Sequence, residues 1–109
     1  MRIWDIEPNK LCRQHLLGEH RELHAIWSII INNKKGYSHH PETLRWKGKL
    51  KSLYLRHSKL VEEMNKRGYN HNSPLDHSLA TDSSIQNKYL DSYEKQKEIL
   101  RNKKCECNV

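Results

Sequence analysis

The sequence lacks long hydrophobic runs and is polar overall. Only 35% of its 109 residues are hydrophobic, and the mean hydropathy is −1.02. The longest apolar stretch, residues 29–31, is far shorter than the ~20 residues that cross a bilayer. Residues 1–5 lack the apolar segment of a signal peptide, so we expect a cytoplasmic protein without a membrane partner. Strand-like alternation, internal repeats and low-complexity segments are also missing.

The sequence is equally short of recognisable disulfide and metal motifs. Its three cysteines are an odd number, and Cys105 and Cys107 lie close together in a polar tail, which excludes a disulfide framework. Glycine-rich phosphate loops, H-E-x-x-H and C-x-x-C are absent. His20 and His24 have the i, i+4 spacing of helical metal ligands, but no neighbouring carboxylate completes a set. We therefore predict no metal site and no cofactor, and we expect His57 to be a core histidine.

What the sequence does contain is a concentrated positive charge. The formal net charge is +7, and the whole surplus lies in residues 34–59, because residues 1–33 and 60–109 each balance acidic and basic side chains. Within the surplus segment, only Glu42 opposes the basic residues, which are Lys34, Lys35, Arg45, Lys47, Lys49, Lys51, Arg56 and Lys59. Such a concentration of positive charge favours binding to a polyanion, and nucleic acid is a better candidate than an anionic membrane. The alternative is that these side chains form a solvated surface that keeps the protein soluble.

Hydrophobic periodicity predicts an all-α protein with a single compact domain over residues 1–109. Three main helices are expected, at about residues 11–32, 41–68 and 83–104. We expect the last few residues to fray and the protein to be a monomer.

Apolar side chains define the expected core. Residues 1–10 precede the first helix as an arm, and Ile3, Trp4 and Ile6 should anchor it against the helices. The apolar stripes of the three helices are Leu16, Leu23, Trp27 and Ile30; Trp46, Leu50, Leu53, Leu60 and Met64; and Ile85, Leu90, Tyr93, Ile99 and Leu100.

A different face of the first helix carries polar candidates. At about 100° per residue, His15 and Gly18 lie within about 40° of Glu22. A glycine inside a helix costs about 0.5–1 kcal/mol relative to alanine, but it offers bare backbone beside the carboxylate, where a substrate can approach closely. Alternatively, Gly18 only lets the N-terminal arm cross the helix, and Glu22 is a surface acid that pairs with Arg21.

Both alternatives bring the N-terminus toward Glu22, which makes the α-amine of Met1 a candidate nucleophile. The ordinary pKa of an α-amine, about 7.7–8.0, leaves part of it uncharged at neutral pH, whereas a lysine is almost wholly protonated. The neighbouring Arg2 would lower that pKa further by like-charge repulsion. An uncharged amine can attack a sugar C1′ to form a Schiff base. A nearby carboxylate can then transfer protons to and from that imine and remove a proton from the adjacent carbon.

Two sequence blocks resemble a known family. Arg2-Ile3 is followed by Gln14-His15-Leu16-x-x-Glu19-x-Arg21-Glu22-Leu23, and a second block runs from Lys49-Leu50-x-x-Leu53 to Lys66-Arg67-Gly68-Tyr69-Asn70. These blocks are similar to R-I, Q-H-L-x-x-E-x-R-E-L and K-L-x-x-L…K-R-G-F-N of the pyrimidine-dimer DNA glycosylase/AP lyases of the T-even phage endonuclease V type. The two blocks cover about half of the chain, in the same order.

The resemblance implies an all-α enzyme whose N-terminal α-amine displaces a damaged base and forms an imine with the sugar. Glu22 matches the family's catalytic glutamate, which assists and drives β-elimination. Arg2, Gln14, His15 and Arg21 match residues that hold DNA near the lesion. In the family, the nucleophile is a threonine exposed when the initiator methionine is removed. Here Met1 occupies that register, and we expect Arg2 to prevent its removal.

The chain departs from the family pattern at two places. His24 and Ala25 follow Leu23 where the family has Pro and then Arg, and the aromatic C-terminal segment associated with grip on the dimer is missing. The substrate is therefore expected to be a pyrimidine dimer or another damaged or modified base, or an abasic site.

We accordingly predict a DNA-repair N-glycosylase with AP lyase activity, which uses Met1 and Glu22 on damaged double-stranded DNA. The candidate DNA contacts are Arg2, Gln14, His15, Arg21, Lys34, Lys35, Arg45, Trp46, Lys47, Lys49 and Lys51. Trp46 has two possible roles: it is either a core residue or a wedge that stacks on DNA bases. The alternatives to an enzyme are a non-catalytic basic helical DNA-binding module and a helical protein that binds a partner other than nucleic acid.

Overall fold

The computed structural model describes residues 2–70 and 73–109 and consists of helices joined by loops. Met1, the predicted nucleophile, lies outside the described residues. The α-helices are α1 (Arg13–Ile31), α2 (Pro41–Trp46), α3 (Leu50–Lys66) and α4 (Tyr93–Arg101), and short 3₁₀ helices span Pro8–Lys10 and His77–Leu79. The described part of the chain contains no β-strand, and none of its helices is long and apolar enough to span a membrane. The all-α prediction is confirmed.

The second predicted helix is divided into two. α2 ends at Trp46 and α3 begins at Leu50, because Gly48 adopts a φ of +76°, in the left-handed region that glycine tolerates. Trp46 and Leu50 are both buried on the two sides of this break. Since the break leaves the apolar stripe in phase, hydrophobic periodicity alone did not reveal it.

The third predicted helix begins about ten residues later than expected. Ser92 caps α4, because its hydroxyl oxygen accepts a hydrogen bond from the Lys95 amide at 3.1 Å. The preceding segment is extended instead, and Ile85, predicted to lie in the core, is 70% exposed. The carbonyl groups of Thr81 and Ser83, which precede Ile85, accept hydrogen bonds from the first amides of α3. The Lys51 amide donates to the Thr81 carbonyl at 2.7 Å. These bonds satisfy helix-end donors that have no partner within α3.

The N-terminal arm is anchored as predicted, and its Ile3, Trp4 and Ile6 are buried. The rest of the buried hydrophobic cluster comprises Leu11, Leu16, Leu23, Ile26, Trp27, Trp46, Leu50, Leu53, Leu60, Met64 and Leu100. Ile30 is partly buried against this cluster. The arm therefore forms one layer of the core, packed on α1 and α3.

Buried charges hold the backbone of the arm. Glu19 accepts a hydrogen bond from the Trp4 amide at 3.0 Å and pairs with Arg56, whose Nε lies 2.6 Å from Glu19 Oε2. Arg56 also donates to the carbonyl of Ile6 at 2.9 Å. One buried ion pair thus fixes two points of the arm against α1 and α3.

The C-terminal tail, predicted to fray, instead folds back on the start of α1. The Asn108 amide donates to the Lys10 carbonyl at 2.7 Å, and the Cys12 amide points to Cys107 Sγ at 3.1 Å. Arg101 Nε donates to the Val109 carbonyl at 2.9 Å. The tail therefore packs against the segment that leads into α1.

Candidate active site

A cleft of about 210 Å³ opens beside the N-terminal half of α1. It brings together four of the predicted site residues, Arg2, Gln14, His15 and Glu22, although they come from the arm and from two turns of the helix. The remaining lining residues are Trp4, Gly18, Glu19 and Lys103. The helical wheel and the anchored arm thus place a carboxylate, an imidazole and a guanidinium around one depression.

Arg2 is held at the cleft by two neighbours. Its Nη1 lies 2.9 Å from Asp91 Oδ2, and its guanidinium sits 4.9 Å from the centre of the Trp4 ring, within the range of a cation–π contact. Because Trp4 is itself fixed by Glu19, Arg2 is held both by its own side chain and by the backbone that follows it.

His15 forms one wall of the cleft. The edge of its ring packs against Trp4, with centroids 5.8 Å apart and planes at 89°. Burial lowers the pKa of His15 below its ordinary value, and the positive charge of Lys103 acts in the same direction. Both effects favour the neutral imidazole.

Gly18 leaves the floor of the cleft open. Apart from its own helix, none of the described residues places an atom within 4 Å of the position that a β-carbon would occupy there. The described part of the arm therefore does not cross α1 in contact with Gly18. Gln14, Gly18, Arg21 and Ala25 follow one another along a single face of the helix. Arg21 is exposed and belongs to this face, but it does not line the cleft.

Glu19 and Lys103 are cleft residues that sequence reasoning missed. Glu19 belongs to the same motif as Glu22, but its carboxylate is buried and engaged by Arg56 and by the Trp4 amide. Burial raises the pKa of Glu19, and the charge of Arg56 opposes that rise. The position of Glu19 in the motif was the available signal for it. No local signal pointed to Lys103, because it enters the cleft only through the folded-back tail.

A comparison with protein families gives the family of the chain. The sequence model described as pyrimidine dimer DNA glycosylase matches residues 1–77. The chain belongs to the pyrimidine dimer DNA glycosylase family. The resemblance inferred from the two sequence blocks is thus confirmed, and membership indicates a DNA-repair glycosylase that acts on DNA with damaged bases. Searches among curated proteins and among solved structures found no match.

The basic segment of this family member divides into exposed and buried parts. Lys34, Lys35, Lys47 and Lys51 are exposed. Lys49 is half-buried, and its Nζ donates to Gln86 Oε1 at 2.8 Å and to Asn87 Oδ1 at 2.6 Å. The exposed lysines retain the predicted potential to contact phosphates, whereas Lys49 also supports the segment that precedes α4.

Two predicted DNA contacts of the glycosylase are corrected by the structure. Arg45 is 4% exposed, and its Nε lies 2.6 Å from Glu42 Oε1, while Nη2 donates to the Ile3 carbonyl at 2.8 Å. Trp46 is 2% exposed, and its indole N–H donates to the same Glu42 oxygen at 3.0 Å. The predictions that these two side chains contact DNA are wrong, because both are used to hold the arm and the core. The core alternative for Trp46 is confirmed.

Histidines of the family member also cluster away from the cleft. His57 of α3 is buried, as predicted for a core histidine, and its Nε2 lies 3.2 Å from His24 Nε2. The ring of His20 lies 4.6 Å from that of His24, and one nitrogen from each of the three rings falls within 4.8 Å of the others. The partner that the i, i+4 pair lacked in sequence is therefore a third imidazole from α3.

Proposed function

We propose that the protein is a bifunctional DNA N-glycosylase and AP lyase, with the α-amine of Met1 as nucleophile and Glu22 as the acid–base group. The observation that carries this proposal is the cleft that Arg2, the residue next to that amine, lines together with Glu22 and Gly18. The closeness of the anchored arm to a half-buried carboxylate supports covalent chemistry beyond DNA binding.

The reaction has two stages. The uncharged amine attacks the sugar C1′, the C1′–N bond to the damaged base breaks, and the base leaves as it takes up a proton. Loss of the remaining amine proton and opening of the sugar ring give an imine at C1′. Glu22 then removes a proton from C2′, and the electrons expel the 3′ phosphate by β-elimination. Water hydrolyses the imine, which frees the amine and leaves a nicked strand.

The exposed face of α1, defined by Gln14, Gly18, Arg21 and Ala25, is the proposed surface for DNA at the lesion. Arg2 and His15 flank it at the cleft. At 1.5 Å per residue, the C-terminal end of α1 lies about 14 Å from Glu22 along the helix axis, or about four base pairs of B-DNA. Lys34 and Lys35 follow that end and are suited to phosphates flanking the lesion.

Exposing C1′ in a duplex requires unstacking a nucleotide, which costs a few kcal/mol. Release of counterions by Lys34, Lys35, Lys47 and Lys51 would offset part of that energy through phosphate contacts. Trp46 is buried and so supplies no wedge. The substrate class that follows is duplex DNA in which stacking is already weakened at the target nucleotide. A pyrimidine dimer or another damaged base weakens stacking, and an abasic site has no base to unstack.

Borohydride trapping on a duplex with a single abasic site tests the covalent step. Borohydride reduces the imine to a stable amine, so the protein should become crosslinked to the DNA, and peptide mass spectrometry should map the adduct to the α-amine of Met1. Protein whose α-amine has been selectively acetylated is the matched control, and it should bind the duplex without crosslinking. A parallel duplex with a cyclobutane pyrimidine dimer tests base excision separately from lyase activity.

Folded protein with a free α-amine that binds the abasic duplex without forming an adduct would contradict the lyase mechanism. That outcome would favour a non-catalytic DNA-binding module. An adduct on a lysine side chain would retain Schiff-base chemistry but exclude Met1 as its nucleophile.

A further inference from the structure

Four metal-ligating side chains meet where the C-terminal tail crosses the start of α1. One ligand atom from each of Cys12, His15, Cys105 and Cys107 lies within 4.8 Å of all the others. The three cysteines are thiols that form no disulfide. The cluster joins residues at opposite ends of the chain, and no step of the proposed reaction is assigned to its three thiols.

The distances within the cluster are close to those of a tetrahedral metal site. His15 Nδ1 lies 3.1 Å from Cys12 Sγ and 3.3 Å from Cys107 Sγ. In tetrahedral zinc sites, Zn–S bonds of about 2.3 Å and Zn–N bonds of about 2.0–2.1 Å place sulfur and nitrogen ligands about 3.6 Å apart. The two separations lie within about 0.5 Å of that spacing, so small side-chain adjustments would bring His15, Cys12 and Cys107 to the spacing of zinc ligands.

The local structure explains how the four ligands come together. Cys12 is the N-cap residue of α1 and His15 lies one turn later, so both side chains reach the same side of the helix start. Cys105 and Cys107 approach from the tail, which is held there by the bond between the Asn108 amide and the Lys10 carbonyl. Cys12 and Cys105 also line an open depression of about 340 Å³, which gives an ion a route from solvent.

The docking of the tail has limited hydrophobic support, because within residues 102–109 only Cys107 and Val109 pack against the hydrophobic core, and both are only partly buried. Residues 102–109 read Asn-Lys-Lys-Cys-Glu-Cys-Asn-Val, so Val109 is their one aliphatic residue. Polar segments of this kind ordinarily remain in solvent, because they bury too little apolar surface to offset the entropy of ordering. A coordinated ion would supply the missing stabilisation, as structural metals do in other small folds.

We propose that Cys12, His15, Cys105 and Cys107 form a closed structural site for Zn²⁺ that fastens the C-terminal tail to the start of α1. Three thiolates and one imidazole are a ligand set that favours tetrahedral zinc over magnesium or calcium, which prefer oxygen. On binding, each thiol loses its proton to solvent, and the imidazole binds through the unprotonated Nδ1. All four positions are filled by protein, so the ion has no open site for a substrate.

The zinc site would also order the proposed active site without entering its chemistry. His15 and Lys103 line the cleft that contains Glu22, and both lie on segments that the ion would join. Coordination through Nδ1 leaves Nε2 as the donor nitrogen of His15, which is the usual arrangement for a histidine that ligates a metal. Loss of the ion is therefore expected to loosen one wall of the cleft.

The first measurement is the metal content of reduced, purified protein, together with titration of the metal-free protein with Co²⁺. One equivalent of zinc is expected, and cobalt should give a thiolate-to-metal charge-transfer band and the intense visible bands of tetrahedral coordination. The histidine cluster of His20, His24 and His57 could bind cobalt too, but it contains no sulfur. The charge-transfer band thus distinguishes the two sites.

Cys107→Ser and Cys105→Ser should each weaken zinc binding and diminish the charge-transfer band. Asn108→Ser is a matched control in the same tail, because its contact with Lys10 is made by the backbone. Zinc-free wild-type protein, no cobalt charge-transfer band, or cysteine variants that bind zinc as tightly as wild type would each overturn the proposal.

Limited trypsin digestion provides a readout of the tail itself. Lys103 and Lys104 are exposed, so cleavage there reports release of the tail from α1. With free zinc at about 100 times its dissociation constant, cleavage should slow by about 100-fold relative to metal-free protein, provided that reclosing is fast. Equal cleavage rates with and without bound zinc would show that the ion does not fasten the tail.

Discussion

The region matched by the family, residues 1–77, and the remaining residues 78–109 contribute to the molecule in different ways. The matched region supplies almost the whole hydrophobic core, and among the described residues Leu100 is the one buried hydrophobic side chain that comes from the C-terminal region. The C-terminal region instead makes polar contacts with the arm. Asp91 pairs with Arg2, and Gln96 bonds to both the amide and the carboxylate of Asp5.

The comparison teaches that the candidate catalytic groups and the elements that position them are separable along the chain. Glu22 and Gly18 lie within the matched region, whereas Asp91, Gln96 and Lys103 approach the arm and the cleft from outside it. A scaffold with a conventional core thus carries the candidate catalytic groups, and a polar strap of about thirty residues holds the described part of the N-terminal arm in place.

The largest expected effect is on chemistry in the matched region. Glu22→Gln should lower cleavage of an abasic duplex by about 10²–10⁴-fold, because it removes a general acid–base group while leaving the shape of the side chain almost unchanged. Binding to the same duplex, measured by fluorescence anisotropy, should be retained. Glu94→Gln, an exposed carboxylate in α4, is the control from the C-terminal region. Undiminished cleavage by Glu22→Gln would remove this residue from the mechanism.

The next effect is on stability, and it compares anchors of the arm from the two regions. Glu19→Gln should lower the free energy of unfolding by about 3 kcal/mol, because it leaves the largely buried Arg56 without its counter-charge. Gln96→Ala should lower it by about 1–3 kcal/mol, through loss of buried hydrogen bonds to Asp5. Urea denaturation measures both. A larger loss for Gln96→Ala would mean that the strap, rather than the core helices, provides the main anchor.

A smaller effect concerns the exposed basic residues. Lys47→Gln together with Lys51→Gln should weaken DNA binding and reduce the salt dependence of the binding constant by about two in log–log slope, since each phosphate contact contributes about one. Cleavage of fully bound DNA should remain close to wild type. The double variant Lys95→Gln with Lys97→Gln alters two positions in the C-terminal region and serves as the control. An unchanged slope would place the DNA elsewhere.

The smallest expected effect is at Gly18, and it separates stability from activity. Gly18→Ala should stabilise the protein by about 0.5–1 kcal/mol, because the new methyl group meets no described atom and alanine favours the helix. Cleavage should nevertheless fall, since the methyl group covers the backbone proposed to face DNA. Ser58→Ala, an exposed position on α3, is a control for helix propensity alone. If Gly18→Ala gains stability at full activity, DNA does not approach the backbone there.

Local sequence patterns predicted the parts of the structure that depend on neighbouring residues. The bounds of α1 agree within about two residues with those expected, the arm is anchored by the predicted apolar residues, and Glu22, His15 and Gly18 border one cleft. Helical geometry fixes the angles between residues that are a few positions apart, so these relationships can be read without a tertiary structure.

Predictions failed where local patterns permit more than one arrangement. The apolar stripe continues in phase across Gly48, so it fits one helix as well as two. Arg45 was counted among the exposed cations, but its burial depends on Glu42 and on the carbonyl of Ile3, 42 positions away along the chain. Ile85 has the composition of a core residue, yet its segment is held by hydrogen bonds to α3 and leaves that side chain in solvent.

The sequence by itself determined the helical class, the apolar face of α1 and the glutamate motif at a fixed offset from the N-terminus, because those features follow from residue spacing along one chain segment. Only the tertiary structure decided which charges are buried and where the polar tail lies. The contact between Cys12 and Cys107 spans 95 positions, and such a pairing depends on how whole elements pack. For that reason, the described part of the N-terminal arm and the C-terminal segment, read separately as a catalytic arm and a loose tail, both contribute residues to the same cleft.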